Sequence, residues 1–170
     1  MVSDKQAILD VMEYVDNVGL IWKVNRGAFA RIGQLVGGNT PRSSVRILRK
    51  RVLVHHVVWF IHHGYWPVDR NEWIDHRDGN CLNNTIENLR SATPSQNNSN
   101  RSPKWAFQHP KGVSVNSNGS IRAMIQFEGK RYYLGTFETE KEAAAAYQGA
   151  SRILHGEFSV FNRQPQLSGE

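Results

Sequence analysis

"WIDHRDGNCLNNTIENLRSATPSQNNSN", residues Trp73–Asn100, sets Asp75 beside His76 and then places seven asparagines within twenty-eight residues. In a strand, two adjacent side chains point to opposite sides of the pleat, so a carboxylate and an imidazole can flank one substrate group. Asp78, Gly79 and Asn80 read as a turn, and "LRSA" as a short second strand. "TPSQNNSN" then opens a helix, with Thr93 as N-cap, Pro94 at the first helical position and Gln96 closing a capping box. Strand, loop, strand and helix are therefore expected, with Asn97 early in the helix and facing Asp75. A carboxylate with an amide oxygen suits Mg²⁺ or Mn²⁺ better than zinc. His76, whose ordinary pKa is about 6.5, is suited to taking a proton from water at neutral pH. Taken alone, an Asp-His pair in an asparagine-rich loop is usually only a loop; the spacing and the capping box favour a hydrolytic site.

Composition limits what surrounds this stretch. The chain has 170 residues, 39% apolar and 10% aromatic, which suits one ordinary folded domain or two small ones. The formal charge is +6, with a sequence pI near 9.7. From Trp22 to Val68 there is no Asp or Glu, while Lys23, Arg26, Arg31, Arg42, Arg46, Arg49, Lys50 and Arg51 are all basic. Such a one-signed run suits a polyanion. The single cysteine, Cys81, rules out an intramolecular disulfide and a cysteine-based zinc finger, and it fits a reducing compartment. No apolar run approaches the roughly 20 residues that span a bilayer, and Met1–Asp16 lacks the pattern of a signal peptide. The expectation is an intracellular protein, acting in the cytoplasm of a host cell and not at a membrane.

Ahead of the central stretch, the spacing of Ile8, Leu9, Val11, Met12 and Val15 predicts a helix over 4–16. "VGLIWKVN" reads as a strand behind Gly19, and "SVRILRKRVLVHH" as a hairpin turning near "LRK". "HHVVWFIHH", residues 55–63, reads as a short buried helix ended by Gly64. Its two adjacent histidine pairs, seven residues apart, cannot all face one way, so packing is favoured over ligation, and the roles of His56, His62 and His63 stay open. Beyond a polar linker, alternation gives three strands, Gly112–Asn116, Ile121–Glu128 and Arg131–Phe137. Val113, Val115, Ile121, Ala123, Ile125, Phe127, Tyr132 and Leu134 are assigned to one face. Ser114, Asn116, Arg122, Met124, Gln126, Arg131 and Tyr133 are assigned to the other. A capping box at Thr139 and Glu142 then opens a helix whose stripe is Ala143, Ala146, Tyr147, Ala150 and Ile153 or Leu154. That helix should cover the apolar face and leave the polar one bare, which is unusual for a sheet built only to pack.

Residues Leu53–Arg101, with "VHH" and "IDH", "DGN", "IENLR" and "SQN" at matching spacing, resemble the HNH endonuclease motif of phage and intron-borne homing endonucleases. The resemblance implies that Asp75 and Asn97 hold one divalent ion per active site and that His76 is the general base. Asn88 becomes the middle residue of the catalytic motif, bracing the loop. His55 and Asn80 are supporting residues, and His56 stands where the family usually has Arg. "KGVSVNSNGSIRAMIQFEGKRYYLGTFETEKEAAAAYQGA" resembles the plant ethylene-response-factor (APETALA-type) DNA-binding domain over about Lys111–Phe161, whose three-stranded sheet lies in the major groove. Matched contact positions are Lys111, Ser114, Asn116, Asn118, Met124, Gln126, Arg131 and Tyr133, with Arg122 on the same polar face. Gln126 suits adenine, and Arg131 suits guanine or phosphate.

The expected class is α+β: a ββα-metal (HNH) module behind an N-terminal β-hairpin region, followed by a small three-stranded antiparallel sheet packed on one helix. The expected boundaries are 1–50 for the N-terminal helix and basic β region, 51–102 for the nuclease module and 103–110 for a linker. Residues 111–162 follow as the sheet domain, and 163–170 as a tail. The expected function is a site-directed, homing-type endonuclease acting on double-stranded DNA, a nickase as a monomer, with no required protein partner and a homodimer left open. The alternative is a DNA-binding regulator whose nuclease-like module does not cut.

Overall fold

A computed structural model describes residues 2–28, 30–38, 40, 42–47, 49–70, 72–102 and 108–163, without the side chains of residues 2, 3 and 69. The fold class is α+β, with small antiparallel sheets and few helices. Packing divides the chain into two compact units, Met1–Ala92 and Thr93–Glu170. This division falls ahead of the 103–110 linker read from the sequence, because the helix after Thr93 packs on elements of the C-terminal unit. Residues 103–107 of that linker and 164–170 of the tail lie outside the described residues.

In the first unit, helix α1 (Val2–Leu9) leads into strand β1 (Met12–Val15), paired antiparallel with β2 (Gly19–Trp22). The helix expected over 4–16 therefore stops at Leu9. Met12 and Trp22 are opposite one another and both buried, so pairing and core burial override the helical spacing of the same residues. Strands β3 (Ser44–Ile47) and β4 (Lys50–Leu53) form the expected hairpin. Arg49 sits in its turn at φ 66°, a conformation that costs a non-glycine residue about 1–2 kcal/mol. Helix α2 (Val54–His63) is the hub of this unit, burying Val54, Val57, Val58, Trp59, Phe60 and Ile61. Gly64 ends it at φ 77°, donating its N–H to the Phe60 carbonyl. Around α2 gather Ile8, Met12, Leu20, Trp22, Val45, Ile47, Ile74 and Leu89, with the Trp66 ring stacked on Phe60 at 4.2 Å. A 3₁₀ turn at Pro67–Arg70 precedes the hairpin of β5 (Trp73–His76) and β6 (Leu89–Ala92).

The second unit begins with α3 (Pro94–Ser99). The Thr93 hydroxyl accepts the Gln96 N–H, while the Gln96 side chain accepts the Thr93 N–H, the capping box expected there. Strands β7 (Val113–Val115), β8 (Ile121–Phe127) and β9 (Lys130–Phe137) make one antiparallel sheet. Helix α4 (Glu140–His155), with its own capping box at Thr139 and Glu142, packs on that sheet. Ala143 and Tyr147 on α4, with Ala123 and Ile125 on β8, form the buried layer. Two details depart from simple periodicity. The pairing slips between Ala123 and Met124, opposite Gly135 and Tyr133 respectively, so Leu134 has no partner and β9 does not alternate evenly. On α4 the inward position belongs to Leu154, half-buried, whereas Ile153 is 82% exposed.

Gly112 explains one contact in this core. At φ 79° its Cα faces the Tyr147 ring, and an added Cβ would overlap the ring carbons. Gly112→Ala is expected to destabilise the second unit by about 1–3 kcal/mol, through a strained φ and forced displacement of the ring. Chemical denaturation of the variant beside the parent measures this.

Candidate active site

The register of β5 and β6 sets Asp75 directly opposite Arg90, and His76 opposite Leu89. Asp75 and His76 are both buried, at 5% and 7% exposure. The Arg90 guanidinium reaches across the hairpin and donates from Nε to Asp75 Oδ2 at 2.8 Å, with Nη2 at 2.7 Å from the same oxygen. A buried carboxylate needs such compensation, and a planar guanidinium provides it. Arg90 is not among the site residues expected from the sequence, although a basic residue beside Leu89 in the short strand "LRSA" was its signal.

His76 is held on its other side by the loop. Its Nε2 donates to Asn84 Oδ1 at 3.0 Å, since an amide oxygen can only accept. Asn84 is a second functional candidate absent from the sequence-based set. The His55 ring meets His76 edge-on at 5.1 Å and His56 at 4.6 Å. Burial, followed by the neighbouring His56 and His76, pushes the His55 pKa down to about 3, so this imidazole is neutral at physiological pH. His62 packs on Tyr14 and His63 on Trp59, away from that group of three.

Neutral His55 gives stability a pH dependence whose sign is fixed. The unfolded chain binds a proton near 6.5, which the folded chain refuses until about 3. The contribution is therefore complete above 6.5 and is lost as pH falls from there toward 3. The difference in unfolding midpoint between the parent and His55→Gln should shrink across that acid window, as measured by thermal melts at a series of pH values.

The asparagines of the loop serve Asp78. Asn88 accepts the Asp78 N–H at Oδ1 and donates from Nδ2 to Asp78 Oδ1, both at 3.0 Å, and to the Asn83 carbonyl at 2.7 Å. Asn83 donates to Asp78 Oδ2 at 2.9 Å. Asn80 donates its N–H to Asp78 Oδ1 at 2.7 Å and accepts the Leu82 N–H. Asn88 and Asn80 are thus loop ties, with Asp78 as the anchor. Tyr14 holds the same loop from β1, its hydroxyl accepting the Ile86 N–H at 2.9 Å.

Among the described residues, no three His, Cys, Asp or Glu side chains converge as a metal cage. A hard ion bound by one or two protein oxygens and completed by water and phosphate requires none, and the buried Asp75 carboxylate is a donor of that type. The donor chemistry therefore fits a hard divalent ion and is poor for zinc.

In the second unit, Asn97 is half-buried on α3. Pairing of β7, β8 and β9 sets Ser114 opposite Arg122, Arg122 opposite Thr136, Met124 opposite Tyr133 and Gln126 opposite Arg131, so these residues share one face. Arg122, Gln126, Arg131 and Tyr133 are exposed there, and the Tyr133 hydroxyl bonds that of Thr136. Asn116 and Asn118 lie in the turn beyond β7, where Asn118 Oδ1 accepts the Ser120 N–H. Lys111 is placed differently from the contact expected of it. Its Nζ donates to the carbonyls of Asn98, Ser99 and Arg101 at 3.2, 2.9 and 2.8 Å, capping the C-terminal end of α3. Burial, then Arg163 and Arg101, lower its pKa to about 8. Arg163 supports the same end, donating to Asn100 Oδ1 at 2.9 Å.

Known proteins match this arrangement in part. The HNH endonuclease family model matches residues 52–99. An uncharacterised HNH endonuclease, L560, of Acanthamoeba polyphaga mimivirus is 37% identical over 91 residues, 54% of this chain and 47% of that protein. The chain thus spans about half the length of that relative. Protein 3.8 of Escherichia phage T7 is 33% identical over 122 residues, 71% of this chain and 98% of that protein. The ethylene-responsive transcription factor ERF117 of Arabidopsis thaliana is 43% identical over 83 residues, 48% of this chain and 24% of that protein. No solved structure matches the chain. With almost all of the T7 protein covered and the nuclease model matching the segment that bears Asp75 and His76, the chain belongs to the family of phage T7 protein 3.8 and carries an HNH endonuclease domain.

Proposed function

We propose that the protein is a site-directed endonuclease of homing type that hydrolyses one phosphodiester bond of duplex DNA per active site, and so nicks as a monomer, inside a host cell. The observation that carries this reading is the His76 imidazole, buried beside Asp75 and held through Nε2 by Asn84. The imidazole is the group that removes a proton from the attacking water. One P–O bond forms to that water oxygen as one P–O ester bond breaks, and the departing sugar oxygen takes its proton from solvent. Asp75 would be a protein ligand of one Mg²⁺ or Mn²⁺ ion. The chemistry such an ion supplies when bound is charge neutralisation at the scissile phosphate and stabilisation of the departing oxygen. Asn88 and Asp78 keep the loop that carries Asn84 in one shape.

Residues 111–162 act in this reading as the ethylene-response-factor-like DNA-binding domain, with Arg122, Gln126, Arg131 and Tyr133 toward the groove and Ser114 and Asn116 beside them. Plasmid nicking with Mg²⁺ or Mn²⁺ tests the activity, and end mapping on a DNA library reports strand and site. One observation favours a second reading, a DNA-binding regulator that does not cut. Asp75 Oδ2 is already engaged by Arg90, and an ion must share or displace that contact. A protein that shifts DNA in a gel yet leaves plasmid supercoiled with either ion would establish the second reading.

A further inference from the structure

We propose that the outer face of the β3–β4 hairpin, with the cleft beside it, is a separate contact surface of the first unit for the phosphate backbone of duplex DNA. The inference rests on DNA being the substrate. The cleft has a volume of about 830 Å³ and is lined by Trp22, Arg26, Gln34, Leu35, Ser44 and Arg46 among others. All of these precede the segment matched by the nuclease family, residues 52–99, and none belongs to the β5–β6 hairpin.

Three features of this surface are costly for a structure built only to fold. Arg46 stands directly opposite Arg51 in the register, and like charges facing each other across a strand pair are destabilising. Val45 and Ile47 are buried on the other side of β3, so a one-residue slip that relieved the arginines would turn them into the core. Arg49 occupies a left-handed position in the two-residue turn between Ile47 and Lys50, where Gly or Asn is the unstrained choice. Neutralisation from within is missing too: among the described residues Arg26, Arg46, Arg49, Lys50 and Arg51 form no ion pair with an acid, and no acid occurs from Trp22 to Val68.

The side chains that remain are suited to phosphate. The Arg51 Nε donates to Ser44 Oγ at 2.6 Å, which orients its guanidinium along the strand. Arg26 is steadied over the Trp22 ring at 5.6 Å from its centroid. Planar guanidinium groups fixed in this way present paired donors to phosphate oxygens. A two-stranded ribbon also has the width that a DNA groove accepts.

The test uses the full chain and a fluorescein-labelled random-sequence duplex, read by anisotropy over a NaCl series with chelator present so that no strand is cut. In Arg46→Gln/Arg51→Gln the Kd should rise about tenfold or more at low salt, and the slope of log K against log salt should flatten by about 2. Arg49→Gly should bind more weakly while its unfolding midpoint stays level or rises. Unchanged Kd and slope in both variants would overturn the proposal, as would weaker binding that merely tracks a lowered midpoint. A parent chain that binds no duplex would remove the DNA reading itself, whereas a binding parent with unaffected variants would remove only this surface.

Discussion

His76→Ala is expected to slow phosphodiester cleavage by about 10²–10⁴-fold, the range a positioned general base contributes, while leaving DNA affinity unchanged. The separation follows from where the ring sits. His76 is buried at the end of β5, with Nε2 on Asn84 and the His55 ring edge-on, and does not lie on an exposed basic face. Asn84→Ala should show the same pattern in smaller measure, about 10–100-fold, because it loosens the ring without removing the base. Single-turnover nicking of supercoiled plasmid, with binding measured separately, distinguishes these outcomes. Undiminished cutting by His76→Ala would remove the proposed mechanism. Equal losses of cutting and binding in both variants would show that the loop, not the base, had been damaged.

What was legible in the sequence was local. Thr93 with Gln96, and Thr139 with Glu142, announce their helices because a capping box needs only four residues. Gly64 announces the end of α2 for a similar reason. The less visible features depend on partners distant in the chain. Met12–Val15 has helical spacing, and only its pairing with Gly19–Trp22 makes it a strand. The slip that leaves Leu134 unpaired appears in neither strand alone. Within the candidate site, Asp75 and His76 stand out by residue type, yet what holds them does not. Arg90 is fifteen residues from Asp75, and the loop between them determines which residues meet. Asn84 is one amide among several, and only the folded loop selects it for His76 and assigns Asn83 and Asn88 to Asp78. Lys111 shows the same dependence on distant partners: the resemblance makes it a DNA-contact position, and only the fold brings its ammonium to the carbonyls at the end of α3.

Arg90→Ala is expected to destabilise the first unit by about 3–5 kcal/mol, because the buried Asp75 carboxylate would lose the guanidinium that compensates it. For a unit of this size, that is a fall of more than about 10 °C in unfolding midpoint. Tryptophan fluorescence in urea measures it, since Trp22, Trp59, Trp66 and Trp73 all lie in this unit. Removing both partners is a different experiment. Asp75→Leu/Arg90→Met replaces a buried ion pair with apolar volume, and such exchanges are often neutral or stabilising. The double variant should therefore recover most of the loss, and failure to do so would mean that Arg90 supports the hairpin by some route other than this carboxylate. The same variant separates the two functional readings. If Asp75 is there only to pair with Arg90, the folded double variant keeps whatever activity the parent has. If the carboxylate serves the cutting chemistry, the double variant folds, binds duplex DNA and does not nick it, because stability has been restored without restoring the hard oxygen donor that the chemistry requires.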